Sequence, residues 1–243
     1  MEKDKKEGSF LESDAAVIVH ELQAPLSGVK WGLSMLQNGD AGKLNDSQID
    51  LVKKCIMGNN RALRLVQSLL SVSRMQSGQN DLHQIEFPIF EIIHDVLSDL
   101  APVASEKKIH INLGGTDGES PLVYVDSEKI RHAFENLLEN AIKYSPIESQ
   151  ILVTVSTDDK NCTVSVEDNG NGIAEADASK IFTKFFRGHD HDIKGERGTG
   201  LGLYLTKNLI EAHGGRIWFE DKKRDLGLDT NGVRFSFSLP LKF

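Results

Sequence analysis

The chain has 243 residues and a formal net charge of −8. This negative balance argues against a protein that mainly binds nucleic-acid phosphate, because such binding depends on clustered Lys and Arg. No apolar run reaches bilayer-spanning length and the first residues lack a signal-peptide core, so a cytoplasmic chain with no membrane segment is expected. Cys55 and Cys162 fit no disulfide or metal spacing, which predicts reduced thiols.

The first predicted element is a helix with a single apolar seam. Its apolar positions alternate spacings of three and four, which is typical of a helix that packs lengthwise on others: Val19, Leu22, Leu26, Val29, Leu33 and Leu36. Pro25 interrupts this helix, because it lacks the N–H that would bond to the carbonyl of Glu21. His20 lies off the seam, and a solvated surface position is the ordinary explanation for a lone histidine there.

A second helix begins near Asn45 or Asp46 and carries two apolar stripes. The first consists of Ile49, Val52, Ile56, Asn59, Leu63, Val66 and Leu70. The second consists of Leu51, Cys55, Ala62, Leu65, Leu69 and Val72. One partner helix cannot cover both stripes, so we predict a helical hairpin that dimerises into a four-helix bundle. Contact with the rest of the same chain is the alternative.

A boundary is predicted near residues 74–84, where Ser, Gly and Asn accumulate and the apolar seam stops. The predicted limits are 14–78 for the helical domain and 79–243 for a second domain, with 1–13 as the end of a linker from a longer sensor. The second domain reads as strands with interspersed helices and a hairpin, rather than as regular strand–helix alternation. This order predicts an α+β sandwich, in which a mixed sheet carries helices on one face.

Two glycine-rich segments stand next to predicted elements. "EDNGNG" ends a strand at Asp168 and continues with Gly170 and Gly172. "GERGTGLGLYL" comes directly before a helix and contains Gly198, Gly200 and Gly202. Glycines at a helix start let backbone N–H groups approach a phosphate. Neither segment matches a P-loop or dinucleotide fingerprint, and for each by itself ordinary turns are the preferred explanation over a phosphate site.

The predicted helix that begins at Ser127 and is ended by Pro146 has an unusual polar face. Helical spacing puts four polar residues on it: Asn136, Asn140, Lys143 and Tyr144. Asparagine is unfavourable in mid-helix, so two of them beside a lysine invite a functional explanation. Neutral oxygens and one positive charge suit a hydrated Mg²⁺ and a triphosphate. For this segment taken alone, a solvated polar face is the favoured explanation.

In this order, the segments resemble the ATP-binding domain of sensor histidine kinases, within the wider family of gyrase, certain chaperones and mismatch-repair ATPases. The asparagine helix resembles the N box, residues 168–172 the first glycine box, residues 182–188 the F box and residues 198–202 the second glycine box. "HELQAP", residues 20–25, resembles the H box of the phosphoacceptor and dimerisation domain. The resemblance covers nearly the whole chain.

The resemblance implies ATP and Mg²⁺ as ligands and assigns roles. His20 would accept the γ-phosphoryl group, and Glu21 would orient or deprotonate its imidazole. Asp168 would receive the adenine amino group, and Asn140 would hold Mg²⁺. The remaining nucleotide-lining residues would be Asn136, Lys143, Tyr144, Gly170, Gly172, Arg187, Gly198, Thr199, Gly200, Leu201 and Gly202. The implied partners are a second copy of the chain and the receiver domain of a response regulator.

One position departs from the family pattern. Ala24 stands where many members carry Thr or Asn, thought to position the water that dephosphorylates the regulator. Kinase activity with weak regulator-phosphatase activity is therefore expected. Two alternatives remain: a non-catalytic, nucleotide-binding dimeric regulator, which the intact His20 and Asn140 disfavour, and a gyrase-type ATPase, which leaves the histidine of the hairpin unexplained.

Overall fold

The structure, a computed structural model, describes residues 21–76, 82–115, 120–188, 199–227 and 230–241. The side chains of Arg61 and Arg64 and those of residues 67–76 are outside this description. Contacts between residues divide the chain into two compact units, Met1–Asp81 and Leu82–Phe243. None of the described helices is long and apolar enough to cross a bilayer.

The first unit contains a helical hairpin. Helix α1 is described over residues 21–38 and includes Pro25, and α2 spans Asp46–Gln76. A capping box starts α2, because Asn45 Oδ1 accepts the backbone N–H of Gln48 at 2.9 Å and Gln48 Oε1 accepts that of Asn45 at 2.9 Å. Helix α2 returns along α1, since Asn59 Nδ2 donates to the carbonyl oxygen of Leu26 at 3.0 Å.

The two predicted stripes of α2 differ in burial. Asn59 and Val66 of the first stripe are buried, whereas Ile49 at its start is 37% exposed. In the second stripe Leu51 is 60% exposed and Cys55 is exposed as well. A single chain therefore leaves part of the second stripe open to solvent. Covering apolar side chains in that position with another surface lowers the free energy.

The described part of the second unit contains one large sheet and one small one. In the small sheet β1 (Ile85–Pro88) pairs antiparallel with β3 (Leu122–Val125). The large sheet has the order β2-β4-β5-β7-β6. Its strands are β2 (His110–Gly115), β4 (Gln150–Thr157), β5 (Asn161–Glu167), β6 (Arg216–Asp221) and β7 (Val233–Pro240). Among these five described strands β2 and β4 pair in parallel and the other neighbours pair antiparallel, so this sheet is mixed.

Three longer helices and one short helix accompany the large sheet: α3 (Ile89–Glu106), α4 (Ser127–Tyr144), α5 (Glu175–Ala178) and α6 (Gly202–Ala212). Alternate residues of β4 and β5 are buried and form one core with α3, α4 and α6. The predicted apolar face of α4 is buried in full: Ile130, Phe134, Leu137, Leu138 and Ala141. The prediction of a helical hairpin followed by a sandwich with a mixed sheet is confirmed.

Both ends of α4 are held by side chains. At its start Asp126 Oδ1 accepts the backbone N–H of Lys129 at 3.2 Å. At its end Lys107 Nζ donates to the carbonyl oxygens of Ile142 and Lys143 at 2.9 and 2.8 Å. A cation at this end also complements the helix dipole. The helix that carries the polar face is therefore fixed along its axis.

A buried histidine connects α6 to the start of α4. His213 Nδ1 donates to the carbonyl oxygen of Leu209 at 2.7 Å, and its Nε2 accepts the backbone N–H of Asp126 at 3.1 Å. Burial lowers the pKa of this imidazole, which favours the neutral ring. One neutral tautomer satisfies both contacts, so His213 acts as a structural link between the two helices.

Candidate functional site

The polar face of α4 is half-buried, so a ligand can reach it. Asn136, Asn140, Lys143 and Tyr144 each have intermediate exposure. The Lys143 ammonium lies 5.2 Å from the centroid of the Tyr144 ring. In the part of the chain that the structure describes, no group forms a hydrogen bond with the Asn140 amide. Its oxygen therefore remains available to an external partner.

Asn136 differs from Asn140, because its amide is engaged within the fold. Its Nδ2 donates to Oγ1 of the buried Thr206 on α6 at 3.0 Å. A Cβ added to Gly202 would collide with Oδ1 of the same Asn136. The first residue of α6 thus packs directly against the amide, and only glycine leaves enough room for it. Asn136 positions the start of α6 beside the polar face.

Asp168 is a buried carboxylate at the end of β5, with 5% of its surface exposed. Its Oδ1 accepts the backbone N–H groups of Gly170 and Val233 at 2.8 and 3.1 Å. Among the described residues, no group donates to its Oδ2. Burial raises the pKa of Asp168 to about 6, against the opposing effects of the two backbone hydrogen bonds and the Lys222 charge, and Glu167 raises it further. Such a carboxylate is a ready acceptor for a donor on a ligand.

The first glycine segment runs past the end of α4. A Cβ on Gly170 would lie 2.9 Å from the Tyr144 carbonyl oxygen and 3.1 Å from Asp168 Oδ1. Gly172 adopts a φ of 83°, and a Cβ there would lie 2.6 Å from Asp221 Oδ2. These close approaches explain the two glycines and bring Asp168 to the edge that carries the polar face of α4.

The second glycine segment is described only from Thr199 onward. Thr199 Oγ1 accepts the backbone N–H of Leu201 at 3.2 Å, and the Leu201 side chain is fully buried. Gly200 has a φ of 70°, and a Cβ there would lie 2.6 Å from the carbonyl carbon of Phe185. The backbone of residues 182–188 therefore packs against this segment. Arg187 is exposed near the end of that stretch.

The predicted site residues do not all fall within the described chain. His20 and Gly198 lie outside it. Glu21 is the first described residue of α1 and is exposed. The structure joins α4 to the first glycine segment at Gly170 and to α6 at Gly202.

Sequence reasoning missed Thr206 and Lys222, which hold parts of the site in place. Thr206 lies four residues after Gly202, so it shares that residue's helical face, and this spacing was the one available signal. The sequence carried no signal for the burial of Lys222, because lysine is almost never fully buried without a partner.

Two parts of the chain match known protein families. Residues 15–78 match the His Kinase A (phospho-acceptor) domain. Residues 125–243 match the histidine kinase-, DNA gyrase B- and HSP90-like ATPase family. The second unit is thus an ATP-binding domain of that class.

The relatives include sensory kinases and histidine kinases. The adaptive-response sensory kinase SasA of Synechococcus sp. (strain JA-2-3B'a(2-13)) is 30% identical over 96% of this chain and 60% of its own length. The structure of full-length ShkA in complex with AMPPNP has a TM-score of 0.75 at 27% identity, over 94% of this chain and 46% of that one. The catalytic domain of histidine kinase ThkA has a TM-score of 0.56 at 31% identity, over 65% of this chain and 98% of that domain.

The chain belongs to the sensor histidine kinase family. It spans 60% of the length of SasA and 25% of the length of the sensor protein KdpD of Clostridium acetobutylicum, which is 28% identical. The predicted ATP binding is confirmed at the level of the domain.

Proposed function

We propose that this chain transfers the γ-phosphoryl group of ATP to His20 and then to an aspartate on the receiver domain of a response regulator. The observation that carries the proposal is the buried Asp168, whose Oδ2 accepts no hydrogen bond from the described residues, in a chain whose residues 15–78 match a phosphoacceptor domain. The Asn140 amide likewise has no hydrogen-bond partner among the described residues. A non-catalytic regulator is not favoured, because the relatives are kinases.

The described residues fit the nucleotide. Asp168 Oδ2 would accept the adenine amino group, since Oδ1 is already engaged. The Asn140 amide oxygen would be a ligand of Mg²⁺, a cation that prefers oxygen donors. When bound, Mg²⁺ neutralises charge on the phosphates. The other residues proposed to line the nucleotide are Asn136, Lys143, Tyr144, Gly170, Gly172, Arg187, Gly198, Thr199, Gly200, Leu201 and Gly202.

The transfer step uses His20 and Glu21. A neutral imidazole has one nucleophilic nitrogen, and its ordinary pKa near 6.5 leaves most of it neutral at cytosolic pH. This nitrogen would form a bond to the γ-phosphorus while the bond from phosphorus to the bridging oxygen breaks, so that ADP leaves. The Glu21 carboxylate would accept a hydrogen bond from the other ring nitrogen and fix the tautomer. Orientation and electrostatics supply most of the rate in such transfers.

We propose residues 14–78 as the dimerisation and phosphotransfer domain and residues 79–243 as the catalytic domain. The exposure of Leu51 and Cys55 supports a homodimer through the helical hairpin, because a second hairpin would cover them. The response regulator is the partner that would accept the phosphoryl group from His20.

The decisive experiment is incubation of the purified chain with Mg²⁺ and γ-labelled ATP. We expect label that is stable to alkali and labile to acid, as a phosphorus–nitrogen bond is. Peptide mapping should place the label at His20. Alkali-labile label, or bound ATP with no label on the protein, would contradict the proposal.

Ala24 bears on the reverse reaction. It lies exposed on α1, and a methyl group cannot orient a water molecule. We expect the unmodified chain to dephosphorylate a phosphorylated regulator slowly and the Ala24→Thr variant to do so roughly 10-fold faster or more, the scale of a single positioned hydrogen bond. Autophosphorylation should be the same in both. The measurement is loss of label from the isolated phosphorylated regulator, and rapid loss with the unmodified chain would contradict the prediction.

A further inference from the structure

Lys222 is a buried cation next to the adenine-binding candidate Asp168. Its residue surface is only 5% exposed. The Nζ atom donates to Asn169 Oδ1 at 2.7 Å and pairs with Glu167 Oε1 at 3.0 Å. A buried charge is costly unless it is paired and hydrogen-bonded. Both partners of Lys222 directly flank Asp168 in the chain.

The turn formed by residues 167–169 is held from several sides. Asn169 Nδ2 donates to the carbonyl oxygen of Gln150 at 3.0 Å, so both ends of this amide are engaged. Arg234 pairs with Glu167 Oε2 at 2.6 Å, which leaves Oε1 to Lys222. The side chains on both sides of Asp168 are thereby fixed, and Lys222 contacts each of them.

Gly232 completes this arrangement. The backbone N–H of Lys222 donates to the Gly232 carbonyl oxygen at 3.0 Å. A Cβ on Gly232, which has a φ of 137°, would lie 2.8 Å from Lys222 Cδ and would collide with the Asp168 carbonyl oxygen. The Lys222 stem thus passes closely against Gly232 before its head reaches the turn. One side chain connects the end of β6, the approach to β7 and the turn after β5.

We propose that Lys222 is a positioning residue for nucleotide binding, whose ammonium group holds the turn at residues 167–169 so that Asp168 Oδ2 meets the adenine amino group, and whose charge opposes that of Glu167. The proposal rests on the proposed role of Asp168. It adds a residue that does not touch the nucleotide and acts through its neighbours.

The charged groups around Asp168 have effects of opposite sign. Glu167 on β5 and Lys222, the residue after β6, act on its carboxyl. Arg234 on β7 pairs with Glu167, and Asp221 at the end of β6 accepts the backbone N–H of Ile173. Lys222 lowers the pKa of Asp168, whereas Glu167 raises it. Removing either charge breaks the ion pair between Lys222 and Glu167. Removing the Lys222 charge should nevertheless raise the pKa of Asp168, whereas removing the Glu167 charge should lower it.

This difference defines the experiment. Affinity for ATP is measured for the unmodified full chain and for its Lys222→Met and Glu167→Gln variants between about pH 5 and pH 8. Asp168, with its pKa of about 6, titrates in this range. In Lys222→Met we expect the pH below which ATP binding weakens to rise by about one unit. In Glu167→Gln we expect this pH to fall. Below the pH at which Asp168 is half protonated, a shift of one unit corresponds to about a tenfold change in affinity. Lys222→Arg keeps the positive charge and should therefore retain most of the ATP affinity that Lys222→Met loses.

Asp168→Asn serves as the control, because its remaining pH dependence reports titration of the phosphates and of other groups. Far-ultraviolet circular dichroism and thermal melts show which variants are folded. If Lys222→Met does not fold, Glu167→Gln still tests the sign. Shifts in the same direction, or equal profiles in folded variants, would overturn the inference. If the unmodified chain fails to bind ATP, the proposed function fails instead.

Discussion

Replacement of His20 by Gln is expected to abolish labelling by γ-labelled ATP while leaving affinity for ATP unchanged. Glutamine has no nucleophilic ring nitrogen, so no phosphorus–nitrogen bond can form. The residues proposed to bind the nucleotide belong to the other unit, from Leu82 to Phe243, and the substitution does not alter them. Labelling and nucleotide binding are measured on the same preparation. Residual acid-labile label on the variant would show that His20 is not the acceptor.

Asn140→Ala is the matched variant, because it should lose Mg²⁺-dependent nucleotide binding and keep an intact acceptor. Subunits of the two variants can be mixed and exchanged into heterodimers. Label on the Asn140→Ala subunit would show transfer across a dimer, and its absence in isolated heterodimers would show transfer within one subunit. Failure to form any heterodimer or homodimer in solution would contradict the proposed bundle.

Replacement of Asp168 by Asn is expected to weaken ATP binding and to stabilise the free protein. The carboxylate would make a charge-assisted hydrogen bond to the adenine amino group, and losing it costs roughly 1.5 to 3 kcal/mol, or about 10- to 100-fold in affinity. Asparagine is nearly the same size, and its Oδ1 can still accept the backbone N–H groups of Gly170 and Val233. The turn should therefore stay intact.

The expected gain in stability follows from the pKa of Asp168, which burial raises from 3.8 to about 6. The folded protein holds this proton more tightly than the unfolded chain, so the stabilising contribution is present in full below about pH 4 and is lost as pH rises through about 6. At pH 7 the ionised carboxyl lowers the free energy of unfolding by up to about 3 kcal/mol. Asparagine carries no charge and avoids this cost.

Chemical denaturation of both proteins at several pH values between about 5 and 8 tests this expectation. The variant should be more stable near pH 7, and its advantage should shrink toward pH 5. ATP binding at the same pH values gives the functional loss. A variant that is less stable than the unmodified chain at pH 7, although folded, would contradict a raised pKa for Asp168.

Much of the second unit could be predicted from local pattern. The helical spacing of Ile130, Phe134 and Leu137 correctly identified the buried face of α4, because that face depends only on helical geometry. The hairpin β4–β5 followed from alternation of apolar residues. The parallel pairing of β2 with β4 and the separate pair β1–β3 did not follow, since strand partners far apart in sequence leave no periodic signal.

The two asparagines of α4 show which part of the site could be predicted from the sequence and which part depends on tertiary contacts. Sequence spacing placed Asn136 and Asn140 on one face. Only the fold distinguishes them, because the partner of Asn136 is Thr206, 70 residues further along the chain, whereas Asn140 keeps its amide available among the described residues.

Spacing and residue chemistry in the sequence by themselves predicted the faces of the helices and the glycine-rich segments, because these features depend on short-range pattern. The candidate acceptor, His20, followed only from the resemblance of residues 20–25 to the H box. Tertiary structure alone decided the raised pKa of Asp168 and the burial of Lys222. Desolvation and ion pairing act through space, and they arise here where the ends of β5 and β6 and the start of β7 meet.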